Sequence, residues 1–283
     1  MKKETLTKTA GIAMVLPSFL IIAVVIAFPI LQSVAMSFQD AEKGGLTIAN
    51  YYYLFTNKNS IINILYTLRI VILTVVFTIS ISYLLALYIR FSKSWFASVV
   101  EKLYVIPRFI PGIVAVYAMM GIIRDTGAVN RLLLNFGISF KPNLMYTPEG
   151  IIMMNLWFNI PFAAMIIGAA LSGIPDSVIE SARDVGAGKL QIFRRIIFPL
   201  SAKTSLVAAT FVFMGNVGEF TTPFLMGANS PRMLGVALYQ QFAAFYDLSQ
   251  AAAMSVFMFS LCAIVGAVYV YSMMKDEKWN IQG

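Results

Sequence analysis

The chain has 283 residues, 59% of them hydrophobic and 12% charged, and its mean hydropathy is +0.79. Soluble domains carry about 25% charged residues, so a water-soluble fold could not hide this much apolar surface, and an integral membrane protein is expected. There is no histidine and one cysteine, Cys262, which excludes disulfides, thiolate metal clusters and histidine-based catalysis. The formal charge is +8. On a soluble protein that would raise nucleic-acid binding, but no nucleic-acid module or aromatic-interleaved basic patch is present. Basic residues at the cytoplasmic ends of membrane spans account for the charge, so no nucleic-acid partner is expected.

Crossing a hydrocarbon core about 30 Å thick takes about 20 apolar residues in a helix. Six segments qualify, at about residues 9–39, 61–89, 96–123, 150–173, 204–226 and 248–274. The expected fold is all-α: one polytopic membrane domain over residues 1–283, with six transmembrane helices. Span one is charge-free from Thr9 to Gln39, with Pro17 and Pro29 near its ends. Lys2, Lys3 and Lys8 precede it as in a signal peptide. Its apolar run, however, far exceeds the about 7–15 residues of a signal-peptide core, so it reads as a retained span. Span two contains Arg69, read as snorkelling, and span three contains Pro107, Arg108 and Pro111. In the loop that follows, Ala128 to Asn135 is predicted helical and closed by Gly137, with Pro142 and Pro148 ahead of span four. With the N-terminus in the cytoplasm, 13 of the 21 basic residues fall on the cytoplasmic side. Six spans then return the C-terminus to that side, as the positive-inside rule favours.

The connection at 174–203 is too polar to span and not Gly/Ser-rich enough to be a linker. It reads Ser177-Val-Ile-Glu-Ser-Ala-Arg-Asp-Val-Gly186, then Ala-Gly-Lys-Leu-Gln-Ile-Phe-Arg-Arg-Ile196-Ile-Phe-Pro199. Ser177 and Glu180 form an S-x-x-E capping box after Pro175, and Gly186 suits the left-handed conformation that ends a helix. Val178, Ile179, Ala182 and Val185 recur at helical spacing as one apolar stripe, which needs a surface to bury it.

Glu180-x-Ala182-x-x-x-Gly186, then nine residues, then Ile196-x-x-Pro199, resembles the EAA loop of bacterial ABC importer permeases. Ser181 replaces the usual first alanine and Phe198 a common leucine; both keep the character of the position. The resemblance implies a type I importer permease of the bacterial inner membrane whose cytoplasmic coupling helix docks on an ATPase subunit. It carries Glu180, Ser181, Ala182, Arg183, Asp184, Gly186, Ile196 and Pro199 over as the coupling residues. The partners implied are a similar second permease, two ATPase subunits, an extracytoplasmic solute-binding protein and membrane lipid. No cofactor is expected on this chain, and ATP and Mg belong to the ATPase subunits. Gly186-Ala-Gly-Lys189 is no phosphate loop, since Arg183 stands at the upstream glycine position and Leu190 where Ser or Thr is needed. Leu46 to Tyr51, Gly127 to Asn130 with Gly137, Tyr146 to Pro148, and Val217 to Pro223 look like the spermidine/putrescine permease branch. Related branches import sugars, organophosphonates, opines or iron(III).

Ionisable groups at membrane depth cost about 2.5–3.5 kcal/mol, so each is a functional candidate. Glu219 sits among Asn216, Gly218, Thr221, Thr222 and Pro223, a polar, helix-breaking cluster read either as lining a path for cationic solute or as an ion pair, with Arg108 or with the second permease. Arg108 itself lies in a kinked stretch. Asn155, Trp157 and Asn159 offer an amide and aromatic surface, for polar solute or for packing between helices. An ion-coupled secondary transporter would show inverted halves. A membrane enzyme would need a nucleophile and base that this composition hardly supplies.

Overall fold

The computed structural model describes residues 14–40 and 44–280, with side chains through Met274. The readings of Lys2, Lys3, Lys8, Lys43 and the start of span one at Thr9 lie outside the described residues, as do the side chains of Lys275 and Lys278. Among the described residues the elements are helical and no sheet forms. In chain order they are α1 (Met14–Ser37), α2 (Ala49–Thr56), α3 (Lys58–Phe91), α4 (Trp95–Leu103), a 3₁₀ turn (Ile106–Phe109), α5 (Gly112–Ile123), α6 (Ala128–Leu134), α7 (Pro148–Ser172) and α8 (Asp176–Asp184). There follow α9 (Lys189–Val217), α10 (Thr221–Met226), α11 (Leu234–Ala243) and α12 (Leu248–Asn280). Six stretches are long and apolar enough to cross a membrane: α1, α3, α5 with α6, α7, α9 and α12.

Two of these helices widen into π turns, each ahead of a proline. In α1 the Phe28 N–H donates to Ala23 O, five residues back, just before Pro29. In α9 the Phe198 N–H donates to Phe193 O just before Pro199. A proline supplies no N–H and its ring crowds the carbonyl four residues earlier, so the preceding turn relaxes to longer bonds.

The chain divides into two compact units, residues 1–61 with 238–259 and residues 62–237 with 260–283. In the first, the buried Ser37 hydroxyl donates to Val34 O and meets the Tyr51 hydroxyl, each at 2.7 Å. The Asn50 amide donates to Ser37 O at 2.9 Å and Gln39 O at 3.0 Å, closing the end of α1. Phe55 meets Phe257 edge to face at 5.4 Å. Most of the large apolar side chains of α1, Phe19 and Leu31 among them, are exposed.

In the second unit α3, α7, α8 and α9 share one core of Tyr83, Ile167, Leu171, Ile179, Ile197 and Val212 with smaller residues. Polar pins cross it. Ser82 donates to Ile160 O at 3.0 Å, and the Tyr83 and Ser201 hydroxyls meet at 2.6 Å. A second core gathers Val116 and Met120 of α5, Met154 of α7 and Met226 of α10.

Three expectations are corrected. Residues 96–123 are not one span: α4, the 3₁₀ turn and α5 are separate, because Pro107 and Pro111 remove N–H groups within five residues of each other. Span five does not run through to residue 226; it stops at Val217, and α10 begins after a break at Gly218–Phe220. The connection predicted over 174–203 is shorter, because the helix of span five begins at Lys189. The helix predicted from Ala128 ends at Leu134, and Gly137 adopts φ 74°, donating to Leu134 O at 2.9 Å.

Tyr83 tests the shared core. Tyr83→Phe leaves Ser201 bonded to Ile197 O at 2.7 Å, so its expected cost is about 1 kcal/mol. Tyr83→Ala opens a void beside Phe193 and Phe198 and is expected to cost about 3–5 kcal/mol. Thermal unfolding in detergent reads both.

Candidate functional site

The hairpin between spans four and five is built from both its ends. Helix α8 runs from Asp176 to Asp184 with Pro175 before it. At its far end Gly186 takes φ 83°. Its N–H donates to Arg183 O at 2.8 Å while the Ala187 N–H donates to Ala182 O at 2.9 Å. This paired arrangement is the Schellman termination, and Gly186 occupies the position that a side chain would strain. Ala182 and Ala187 both pack on the shared core.

The expected capping box does not form. The helix starts at Asp176, so Ser177 is already inside its first turn, and no side chain caps its first N–H groups. Asp176 is instead held by Arg90 from the last turn of α3, whose Nη2 lies 2.6 Å from Asp176 Oδ1. The same guanidinium donates to Ile174 O at 3.2 Å and Leu171 O at 3.4 Å. Arg90, one of the 13 basic residues assigned to the cytoplasmic side, is not singled out by the sequence. Its signal, a lone arginine ending an apolar span, is too common to single out.

The apolar stripe also divides. Ile179 is buried and Ala182 half-buried in the chain's own core, whereas Val178 and Val185 are exposed. Ser177, Glu180, Ser181 and Asp184 are exposed on the opposite side of the helix. Arg183 is exposed too, and with Ile179, Lys189 and Ile192 it lines a groove of about 480 Å³ whose other wall is Leu87 and Phe91 of α3. Ile196 packs on the shared core and Pro199 is exposed just past the π turn.

The second candidate region is the break between α9 and α10. Glu219 Oε1 accepts the Thr222 N–H at 2.9 Å, capping α10, while Oε2 is buried with no hydrogen bond among the described residues. Asn216 is buried and turned back along its own helix, donating to Val212 O at 2.7 Å. Thr221 is half-buried and Thr222 buried. Gly235 of α11 lies so close that a Cβ there would sit 2.5 Å from Glu219 O. Neighbouring α11 is itself received by α3, where Asn63 Oδ1 accepts the Arg232 N–H at 2.8 Å and Thr67 Oγ1 the Leu234 N–H at 2.9 Å.

On α7, Asn159 donates to Asn155 O at 2.7 Å, and the buried Asn155 keeps its own amide N–H groups unpaired. Trp157 stands edge-on to Phe158 at 5.1 Å and packs on the second core, which also holds Met226 of α10. Arg108 is exposed and lies over the Phe162 ring at 5.1 Å. The ion pair between Arg108 and Glu219 is not formed.

Residues 78–275 match the family described as binding-protein-dependent transport system inner membrane component. The spermidine/putrescine transport system permease protein PotB of Escherichia coli (strain K12) is 27% identical over 168 residues, 59% of this chain. The chain spans 61% of that relative's length. The osmoprotective compounds uptake permease protein GgtC of Synechocystis sp. is 26% identical over 226 residues, 75% of this chain and 79% of that protein. In fold, the chain resembles a bacterial ABC transporter involved in the import of the acidic polysaccharide alginate. The TM-score is 0.81 at 20% identity, covering 96% of this chain and 98% of the other.

The break at Glu219 separates cap from charge. Glu219→Gln keeps an acceptor for the Thr222 N–H and is expected to unfold near the wild-type temperature, whereas Glu219→Ala is expected to lose about 1 kcal/mol. Gly235→Ala pushes on the Glu219 carbonyl and is expected to cost about 1–3 kcal/mol. Thermal unfolding of the three variants ranks them.

Proposed function

From the premise that the chain belongs to the family of binding-protein-dependent transport system inner membrane components, the permeases of type I ABC importers, we propose that it forms the solute path of an ATP-driven importer. In this reading both termini face the cytoplasm. A similar second permease completes the membrane part, an extracytoplasmic protein delivers solute, and two ATPase subunits bind ATP and Mg. The chain itself hydrolyses nothing. Six apolar stretches and the family place it in the bacterial inner membrane.

The observation that carries the proposal is helix α8, a short helix terminated at Gly186 with one face seated in the membrane unit's core and the other exposed. A helix held this way transmits force. Pushing its exposed face displaces Ile179 and Ala182, and with them Leu171 of α7 and Ile197 of α9, because a close-packed core shifts as a body. Glu180, Ser181, Asp184 and Val185 are proposed as the surface that meets the ATPase subunit. Ala182, Gly186, Ile196 and Pro199 would shape the hairpin behind it. Arg183, exposed at the rim of the groove, borders that surface and is proposed as part of it.

For the solute we favour a polyamine. PotB is a spermidine/putrescine permease, and Glu219 Oε2 is a buried carboxylate oxygen without a hydrogen-bond partner among the described residues, suited to an ammonium group. Asn155, with an unpaired amide, Asn159, Trp157, Asn216, Thr221, Thr222 and Arg108 are the further candidates along the path. The relatives' names also include osmoprotective compounds, so the solute class rests on Glu219 more than on likeness.

Glu180→Lys and Gly186→Pro are each expected to lower ATP-driven uptake of radiolabelled spermidine at least about tenfold, by loss of a docking free energy of about 1.4 kcal/mol or more, while membrane insertion is kept. Wild-type uptake and unchanged ATPase co-purification in both variants would reject the docking face. Glu219→Gln is expected to reduce spermidine uptake with complex assembly intact. Full uptake would return Glu219 to capping alone.

A further inference from the structure

Between α7 and α8 lies a three-residue connector, Gly173-Ile174-Pro175. Such a stretch is a natural swivel: a helix has just ended, the glycine restricts little, and the proline cannot donate a bond across the gap. Ile174 is buried in the shared core with Leu171 and Ile179, so motion of α8 reaches α7 through packing, and the backbone of the connector is where part of that motion can be lost. Arg90 bridges this place. From the last turn of α3 it bonds Leu171 O before the connector, Ile174 O within it, and the Asp176 carboxylate after it, at 3.4, 3.2 and 2.6 Å.

We infer that Arg90 is a positioning residue that pins the connector, so that the coupling helix turns together with spans two and four instead of swivelling beneath them. The inference rests on the reading of α8 as the coupling helix. Three features support a mechanical role over a merely adhesive one. The ion pair is open to water on the aspartate side, where side-chain exposure is 68% against 22% for Arg90, and pairs so exposed add little stability. Of the two carbonyls that accept from it, Leu171 O lies in the last turn of α7 and Ile174 O just past it, where the helix dipole concentrates negative charge and a cation is favoured. A guanidinium alone among side chains presents a planar fork of donors able to satisfy several acceptors at once, which a lysine ammonium does not reproduce.

Further pins on α3 extend the body. Ser82 bonds α7 at Ile160 O and Tyr83 bonds α9 at Ser201. Together with Arg90, three positions within nine residues tie span two to the helices on both sides of the hairpin. Among the described residues the other exit of α8 carries no side-chain hydrogen bond: it leaves through Gly186 at φ 83°, then Gly188, held by the packing of Ala187. Compliance is therefore placed after the coupling helix and rigidity before it.

The test measures distance between spin labels at Lys93, just past α3, and Val178 on α8, both exposed, in the full chain with Cys262→Ser, its only cysteine. The expected result is one narrow distance in the permease alone, unchanged when ATP is added to the assembled complex. Arg90→Gln is expected to broaden the distribution at least about twofold, as a released hinge does. Arg90→Lys, which restores the pair with Asp176 but not the fork over two carbonyls, is expected to recover part of the narrowing. A distribution in Arg90→Gln that superimposes on the wild type overturns the pin, and so does a wild-type distance that moves with ATP. If the wild-type permease fails to bind ATPase subunits, the docking reading falls, while the distances in the permease alone still decide the role of Arg90.

Discussion

A backbone N–H or C=O freed inside hydrocarbon finds no water, so every interruption of a membrane helix has to bring its own partner. That constraint orders this chain. Where α9 stops, Glu219 takes the Thr222 N–H. Ahead of α11, Asn63 and Thr67 of α3 take the Arg232 and Leu234 N–H groups. After α10, Met226 O receives the Tyr146 N–H at 2.8 Å from the segment leading into α7. Where α7 ends, Arg90 satisfies two carbonyls. At α11 and at the end of α7 the partner comes from α3, so these two breaks become junctions between helices distant in sequence.

Those junctions differ in stiffness. Glycines at close approach, such as Gly150 against Leu144 O and Gly235 against Glu219, leave no room for a side chain. The π turn before Pro199 is another kind of joint. Its longer bonds follow the missing proline N–H, and it sits where the hairpin re-enters span five, between Ile192 and Ile197 of the shared core. A helix softened there can bend while the core around Tyr83 holds its register.

What could be read from the sequence follows the range of each interaction. Helical stretches were legible because apolar runs of about 20 residues have no other use. The end of α8 was legible because the left-handed turn at Gly186 is a local matter of φ. The start of α8 was not. Ser177 and Glu180 have a capping-box spacing, but the turn they were to cap is anchored from α3, 86 residues away in sequence, by Arg90. The division of the apolar stripe was likewise hidden, since spacing tells which residues share a side of the helix but not which of them its own chain covers. Prolines signalled a kink in span three without saying that Pro107 and Pro111 would break it fully, and the widened turn before Pro199 had no signal beyond the proline itself.

In the proposed solute path, capping and recognition would constrain each other at Glu219. Its first oxygen is committed to the N-terminus of α10, where the helix dipole supplies positive potential. A carboxylate so placed is already partly compensated, so its attraction for a passing cation is weaker than that of a bare buried charge, and its remaining oxygen can hold one donor in a fixed direction. Such a group favours cations in general and discriminates poorly among them. Fine selection between solutes is then better made before the membrane, by a protein that can enclose the whole molecule. The path needs only enough affinity to admit what is delivered and too little to retain it.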